Sequence, residues 1–242
     1  MEAVKIKSLT KRYKDTVAVS ELSLSIREGE LFALLGTNGA GKTTLIKMLS
    51  CLTVPTEGDA EVCGYSIVSA PMAVKDLIAT CPQESAVAAG LTVRENLELI
   101  AGIHGLSKKQ RQERIAELVK RLSLVEVLDK RVGKLSGGFS RRVSIAMALI
   151  SEPRVLFLDE PTLGLDVIAR SELWDIISSL RGRVTVILTT HYLNEAEQLS
   201  DRVGIMKDGR LIALGTAEEL TVSRGARSFE GAFVEIVREG GK

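Results

Sequence analysis

Residues 36–43 read GTNGAGKT, which fits the pattern G-x-x-x-x-G-K-[ST] and constrains the fold more than any other segment of the sequence. The pattern lies directly between an apolar run, residues 31–35, and a helical run, residues 44–49. Glycines let backbone N–H groups converge on phosphate oxygens, and the start of a helix adds positive potential. The sequence therefore predicts a buried strand, a phosphate-binding loop and a helix in succession.

The loop and the residue after it supply the candidate phosphate ligands. They are Gly36, Thr37, Asn38, Gly39, Ala40, Gly41, Lys42, Thr43 and Thr44. We expect Lys42 to reach the outer phosphates and the Thr43 hydroxyl to bind Mg²⁺. A glycine-rich turn that only caps a helix is the structural alternative, but the strand pattern before the loop favours phosphate binding.

Two adjacent acids end a second apolar run. Residues 155–158 are continuously apolar, Asp159 and Glu160 follow them, and Pro161 ends the run. Ligands of parallel sheets bind at the carboxyl ends of the strands. Asp159 therefore suits the Mg²⁺ shell, and Glu160 suits orienting and deprotonating an attacking water. A solvated acidic strand end is the alternative.

Strand and helix patterns alternate, which is the signature of an α/β domain with parallel strands. A third strand is predicted at residues 184–188, and the apolar positions Leu173, Ile176, Ile177 and Leu180 form the stripe of a helix that packs on a sheet. Asp208 and Gly209 lie between two further apolar runs and predict a hairpin turn.

The middle of the chain predicts helices only. Capping-box patterns begin at Thr92 and Ser107, and no convincing strand occurs between residues 91 and 150. We expect a helical subdomain at about residues 89–150, inserted into a core of about residues 1–88 and 151–220, with a helical tail at about residues 221–242.

Composition excludes several classes of function. Lys and Arg total 32 against 31 for Asp and Glu, and aromatic residues make up only 4%, so a nucleic-acid partner is not expected. No apolar run approaches the roughly 20 residues that cross a bilayer. The N-terminus lacks the pattern of a secretion signal, which favours the cytosol. Cys51, Cys63 and Cys81 lack metal-binding spacing and are expected to be free thiols.

A second candidate anion site lies at Ser136, Gly137 and Gly138, where a hydroxyl and free N–H groups precede a helical stripe. Alone, this sequence is a common loop or helix cap. In the order 36–43, 135–138 and 155–160, with a helical insert before the second segment, the motifs resemble the nucleotide-binding domain of ATP-binding cassette (ABC) transporters. The resemblance covers nearly the whole chain, from Tyr13 to about Thr216.

The resemblance implies a P-loop NTPase core with a mostly parallel sheet, an N-terminal antiparallel β part, ATP and Mg²⁺. It also implies roles for four further residues. Tyr13 matches the adenine-stacking aromatic, and Gln83 matches the glutamine that reaches Mg²⁺ and senses the membrane partner. Asp166 lies in the loop that crosses to the opposite subunit, although it could equally be only a helix N-cap. His191 matches the switch histidine that contacts the γ-phosphate.

The sequence departs from the family pattern at two positions. Phe139 follows the second glycine of the Ser136 motif, where Gln is common, and Thr37 replaces a frequent Pro. Three stretches, residues 190–197, 207–210 and 229–235, look like those of type-2 ABC exporters of the daunorubicin-resistance and sodium-efflux kinds.

Two anion sites in one chain imply a shared nucleotide. By the resemblance, Ser136, Gly138 and Asp166 of one copy close on the ATP held by another in a head-to-tail homodimer or paralogous dimer. Hydrolysis then separates the copies and moves separate transmembrane permease subunits, which would hold the chain at the cytoplasmic side of the membrane. A soluble ABC-type ATPase that remodels ribosomes or DNA is the main alternative, and an ATP-binding regulatory module without hydrolysis is another.

Overall fold

Two β-sheets organise the chain in the computed structural model, which describes residues 1–83 and 86–240. The strands in chain order are β1 (Glu2–Tyr13), β2 (Thr16–Arg27), β3 (Leu31–Gly36), β4 (Glu57–Val62), β5 (Tyr65–Ser66), β6 (Ile78–Cys81), β7 (Val155–Asp159), β8 (Thr185–Thr190), β9 (Arg202–Lys207) and β10 (Arg210–Gly215). The helices are α1 (Lys42–Leu49), α2 (Pro71–Lys75), α3 (Val93–Ile103), α4 (Lys108–Arg121), α5 (Gly137–Leu149), α6 (Val167–Ser178), α7 (Leu193–Leu199), α8 (Ala217–Ser223) and α9 (Phe229–Glu239).

The larger sheet carries the predicted parallel core. Within the described ranges its strand order is β10-β9-β3-β8-β7-β6, and every neighbouring pair is parallel except β9 and β10. Those two strands form the predicted hairpin, with φ of 47° at Asp208 and 78° at Gly209. The smaller sheet, in the order β2-β1-β4-β5, is antiparallel, as the resemblance implied. The α/β fold class is thus confirmed.

Strand β3 lies inside the protein because both of its faces are covered. Leu31, Ala33 and Leu35 pack into a cluster with the apolar residues of α3 to α7. Phe32 and Leu34 point the other way, toward α1 and the antiparallel sheet. A continuously apolar run is the pattern of a parallel strand covered on both faces. The alternation along β3 therefore fixes which layer lies on each side of the phosphate-binding loop.

The predicted helices of the middle segment are present. Thr92 caps α3 and Ser107 caps α4, both in complete capping boxes. Helices α3, α4 and α5 contact one another, and α5 also contacts β6 of the larger sheet. Residues 84 and 85 of the expected core, and residues 241 and 242 of the expected tail, lie outside the described residues.

The structure also bears on the expectations for membrane-spanning helices and for the three cysteines. No helix in the described part of the chain has the length and apolar character needed to cross a membrane. Cys51, Cys63 and Cys81 are free thiols, as expected. Burial is the main reason why the pKa of each thiol is raised. Reactions that need a thiolate are therefore disfavoured at all three cysteines.

Candidate active site

The predicted phosphate-binding loop and both acids meet at one edge of the larger sheet. Strands β3, β7 and β8 are parallel, so the segments after them, which carry the loop, Glu160 and His191, lie side by side. A cleft of about 750 Å³ opens there. The predicted residues that line it are Asn38, Gly39, Ala40, Gly41, Lys42, Thr43, Thr44, Gln83, Glu160 and His191.

Lys42 supplies a desolvated cation at the floor of the cleft. Its side chain is buried, and Nζ donates hydrogen bonds to the carbonyls of Gly36 at 2.8 Å and Thr37 at 3.1 Å. Burial lowers the pKa of the Lys42 ammonium, and the nearby charges of Glu160 and Asp159 oppose that shift. A partly desolvated ammonium gains from a charge-assisted contact with an anion such as phosphate.

The loop glycines are required by close approach and by backbone conformation. Gly41 has φ of 100°, and a Cβ there would lie 2.3 Å from the Ala18 carbonyl oxygen. A Cβ on Gly36 would lie 2.5 Å from the Met206 carbonyl oxygen. Gly41 is also the N-cap of α1 and brings no side-chain hydrogen bond to the helix. The first N–H groups of α1 therefore face the cleft without a side-chain cap, which suits an anion.

Asp159 and Thr43 place two oxygen ligands together beside the loop. Asp159 Oδ1 accepts hydrogen bonds from Thr43 Oγ1 at 3.3 Å and from Thr189 Oγ1 at 2.5 Å. Hydroxyl and carboxylate oxygens suit Mg²⁺, which is commonly bound through one or two carboxylates together with substrate phosphates. Residues 1–83 and 86–240 contain no group of three or more His, Cys, Asp or Glu that could hold a metal by itself. The donor set fits a cation shared with a nucleotide.

Glu160 and His191 lie side by side in the cleft. His191 Nδ1 lies 3.3 Å from Glu160 Oε1, although the geometry does not meet that of a hydrogen bond. Glu160 has a left-handed backbone, with φ of 46°. Its N–H donates to both Oγ1 and the carbonyl oxygen of Thr189, each at 3.1 Å. Strand β8 thus holds the Glu160 backbone.

Glu195 is a buried carboxyl one turn beyond His191. Its side chain has no exposed surface, and Trp174 Nε1 donates a hydrogen bond to Oε1 at 3.1 Å. Burial raises the pKa of Glu195, and the hydrogen bond from Trp174 partly opposes the shift. Sequence reasoning missed this group, because an acid within a helical pattern is usually a surface residue.

Four predicted residues lie together outside the cleft of this chain. Ser136 caps α5 by accepting from the Phe139 N–H at 3.4 Å, and Asp166 caps α6 by accepting from two N–H groups at 2.9 and 3.0 Å. Gly137 and Gly138 begin α5, and a Cβ on Gly138 would lie 3.0 Å from Ala169 Cβ of α6. The Ser136 motif and Asp166 therefore form one surface, defined by the starts of α5 and α6.

Tyr13 and Phe139 do not line the cleft, although Tyr13 pairs with Thr16 of β2, which does. The Tyr13 ring is 46% exposed at the end of β1, with Lys11 Nζ 5.0 Å above it. Its adenine-stacking role stays a prediction. The Phe139 ring packs against the core and stacks with Arg142 at 5.0 Å, so it does not project from the start of α5.

Several residues of the cleft could not be found from the sequence. Thr16, Val17 and Ala18 of β2 line it, together with Leu163 and Asp208. The hairpin turn is attached to the loop because the Gly209 N–H donates to the Ala40 carbonyl at 3.1 Å. The Asp-Gly pair signalled a turn, but nothing in its sequence indicates what the turn contacts.

The fold and the cleft define the class of nucleotide-binding proteins that have a phosphate-binding loop between a buried strand and a helix. The family model for the ABC transporter matches residues 19–163, and the chain belongs to that family. Within it, the chain is an ATP-binding and ATP-hydrolysing subunit, as the sequence predicted.

Individual proteins support the same assignment. The daunorubicin resistance ATP-binding protein DrrA3 of Streptomyces coeruleorubidus is 43% identical over 242 residues, which cover 99% of this chain and 75% of that relative. A solved ATP-binding subunit of an ABC transporter has a TM-score of 0.85 at 30% identity, over 97% of this chain and 99% of that chain. A dimeric ATP-binding cassette in a post-hydrolysis state, bound to ADP and Pi, has a TM-score of 0.79 at 28% identity, over 88% of this chain and 98% of that chain.

Proposed function

We propose that this chain is the ATP-hydrolysing motor subunit of a multidrug or ion exporter, and that it drives separate transmembrane permease subunits. The observation that carries the proposal is that Lys42, Thr43, Glu160 and His191 line one cleft, with Asp159 hydrogen-bonded to Thr43 beside it. The exporter branch is supported by the relative that is named for daunorubicin resistance.

Each residue of the cleft has a separate task in this proposal. The loop N–H groups and Lys42 bind the phosphates, while Thr43, Asp159 and Gln83 hold Mg²⁺. The ion, when bound, neutralises charge on the phosphate oxygens. Glu160 accepts the proton of the attacking water, and His191 contacts the γ-phosphate from the end of β8. The contact of 3.3 Å between His191 Nδ1 and Glu160 Oε1 keeps these two groups on the same side of the cleft.

The surface formed by Ser136, Gly137, Gly138 and Asp166 supports a dimer. These residues do not line the cleft of their own chain, yet the start of α5 has the N–H groups and hydroxyl that suit a phosphate. We infer that they contact the ATP bound by a second copy, in a head-to-tail homodimer or paralogous dimer. The similar cassette with ADP and Pi is itself dimeric.

The proposed permease contact places the chain at the cytoplasmic side of the cell membrane, held there through its partner. The helical segment at about residues 89–150 would face that partner. The Gln83 segment, which consists of Pro82 and Gln83, would face it too. Co-purification with a polytopic membrane protein that changes the ATPase rate tests this part. A chain that purifies only with ribosomes or DNA would instead support the soluble ABC-type ATPase.

Substitution of Lys42 tests phosphate binding. Lys42→Met should abolish ATP binding and phosphate release in the presence of Mg²⁺, because the buried cation is lost. Lys47→Met is the matched control, since Lys47 lies on the same helix but is exposed. Binding of a fluorescent ATP analogue and release of phosphate measure the two effects. Equal activity of Lys42→Met and wild type would refute the assignment of the cleft.

Substitution of Ser136 tests the shared site. Ser136→Arg should leave the monomer folded and able to bind ATP, but should prevent pairing because the side chain fills the contact surface. Ser107→Arg is the matched control, because Ser107 is likewise an exposed helix cap whose Oγ accepts a backbone N–H. Size-exclusion chromatography with ATP measures pairing, and an undiminished dimer peak for Ser136→Arg would count against the shared nucleotide.

A further inference from the structure

Arg141 joins two loops that approach the cleft from different strands. It lies in the second turn of α5, and its side chain is buried, at 5% exposure. Nη1 donates to the Pro82 carbonyl at 2.7 Å, and Nη2 donates to the carbonyls of Gln83 at 2.9 Å and Glu160 at 3.2 Å. One guanidinium thus contacts the backbone of both segments that carry predicted catalytic side chains.

The environment of this guanidinium is unusual for a buried cation. Within residues 1–83 and 86–240, Arg141 forms no salt bridge with an acid. Buried Arg side chains are normally paired, because taking their charge out of water is costly. Here main-chain carbonyl oxygens are the main acceptors of its donors. Within the described residues, these contacts attach α5 to the two loops.

Glu160 depends on such contacts because its backbone is strained. A non-glycine residue at φ of 46° persists where the surroundings hold it in place. On one side, its N–H is held by Thr189 of β8. On the other side, its carbonyl accepts from Arg141 and from the Leu163 N–H, each at 3.2 Å. Of the residues that hold the Glu160 peptide, Arg141 also donates a hydrogen bond to the Gln83 carbonyl.

We propose that Arg141 is a positioning residue for ATP hydrolysis, which fixes the Glu160 peptide relative to the Gln83 peptide. The inference rests on the proposed function of these two side chains. Because the same guanidinium binds both carbonyls, a displacement of the Gln83 segment is transmitted to Glu160. The segment proposed to face the permease is thereby connected to the group proposed to activate water, through a residue of the helix that begins with the Ser136 motif.

Arg142 provides a matched control one residue further along α5. Its side chain is also buried, at 7% exposure. It forms an ion pair with Glu172 and stacks on Phe139, and among the described residues it makes no hydrogen bond to the backbone of Gln83 or Glu160. A change at position 142 therefore perturbs the same helix and removes the same charge without touching the Gln83 or Glu160 backbone.

The experiment compares Arg141→Met, Arg141→Lys and Arg142→Met in the full chain. A displacement of about 1 Å at a reacting group costs roughly 10²-fold in rate. We expect kcat of Arg141→Met to fall about 10- to 100-fold, with the Kd for ATP within about 2-fold of wild type. Arg141→Lys should keep an intermediate rate, because one ammonium cannot reach all three carbonyls. Arg142→Met should keep the wild-type kcat.

Three results would overturn the inference. The first is a wild-type kcat in Arg141→Met, and the second is an equal loss of kcat in Arg142→Met. If circular dichroism shows that Arg141→Met does not fold, Arg141→Lys is the variant that tests the inference. A wild-type kcat in folded Arg141→Lys is the third result. Glu160→Gln is measured in parallel. If that variant hydrolyses ATP at the wild-type rate, the proposed function itself fails, whereas its inactivity beside an active Arg141→Met rejects only the role of Arg141.

Discussion

Replacing Glu160 with Gln removes the proposed base and little else. Gln has the same length and shape, and the backbone contacts that hold position 160 do not involve the side chain. The N–H still donates to Thr189, and the carbonyl still accepts from Arg141. The phosphate ligands Lys42 and the loop N–H groups remain in place. The variant should therefore bind ATP while losing only the group that takes the proton from water.

The expected loss follows from the value of a general base. Positioned acid–base groups contribute about 10²- to 10⁴-fold in rate, which corresponds to roughly 2.7 to 5.4 kcal/mol of transition-state stabilisation. We expect kcat to fall by that factor. Because the Glu160 carboxylate interacts with the Lys42 ammonium, removing it leaves Lys42 freer to bind phosphate, so the Kd for ATP should stay equal or decrease. ATP that is bound but not cleaved should also hold the dimer together.

The assay combines phosphate release under multiple turnover, ATP binding and chromatography with ATP. Glu152→Gln is the matched control, because Glu152 also has a left-handed backbone, with φ of 54°, but its side chain is 73% exposed and belongs to an ion pair with Arg114. The control should keep the wild-type rate. A wild-type rate in Glu160→Gln would refute the assignment of the base, and a loss of ATP binding would show that Glu160 acts in binding instead.

Two further predictions concern the loop and the buried acid. Gly41→Ala should abolish binding of a fluorescent ATP analogue, because its Cβ would lie 2.3 Å from the Ala18 carbonyl oxygen. Gly39 has φ of 80° and open space around it, so Gly39→Ala should lower the free energy of unfolding in urea by only about 1–2 kcal/mol. Equal binding of the analogue by both variants would contradict this prediction. Burial raises the pKa of Glu195 above 4.5, so stability that is full below pH 4.5 is lost as pH rises through the folded-state pKa. The neutral Glu195→Gln variant should therefore gain stability relative to wild type from pH 5 to pH 8, by about 1.4 kcal/mol per unit of raised pKa, and a pH-independent difference would contradict the burial argument.

Local patterns were sufficient to predict most of the cleft. The loop, the acids after β7 and His191 after β8 each adjoin a strand that is recognisable by its apolar residues. Because the strands are parallel, their carboxyl ends share one edge, and residues more than 100 positions apart along the chain, such as Thr43 and Asp159, meet there. Because ligands of parallel sheets bind at this edge, the loop, the acids after β7 and His191 could be assigned to one site.

Contacts between distant segments were not predictable in the same way. Arg141 was visible in the sequence only as a charged residue after the Ser136 motif, and charged residues early in a helix are usually exposed. Its burial depends on the β6 segment lying against α5, which no periodicity indicates. The same limit applies to the Asp208 turn, whose position beside the loop depends on the pairing of β9 with β3.

A left-handed backbone alone does not mark a functional residue in this chain. Glu152 and Glu160 both have positive φ, and so does Asp208 in its hairpin. At Glu152 the side chain is exposed, and the backbone N–H donates to the Leu149 carbonyl at 3.2 Å in a turn. At Glu160 the peptide is held from both sides, and glycine would relieve the strain but remove the carboxylate. The contacts on both sides of this peptide therefore hold a left-handed backbone at a residue that carries a carboxylate.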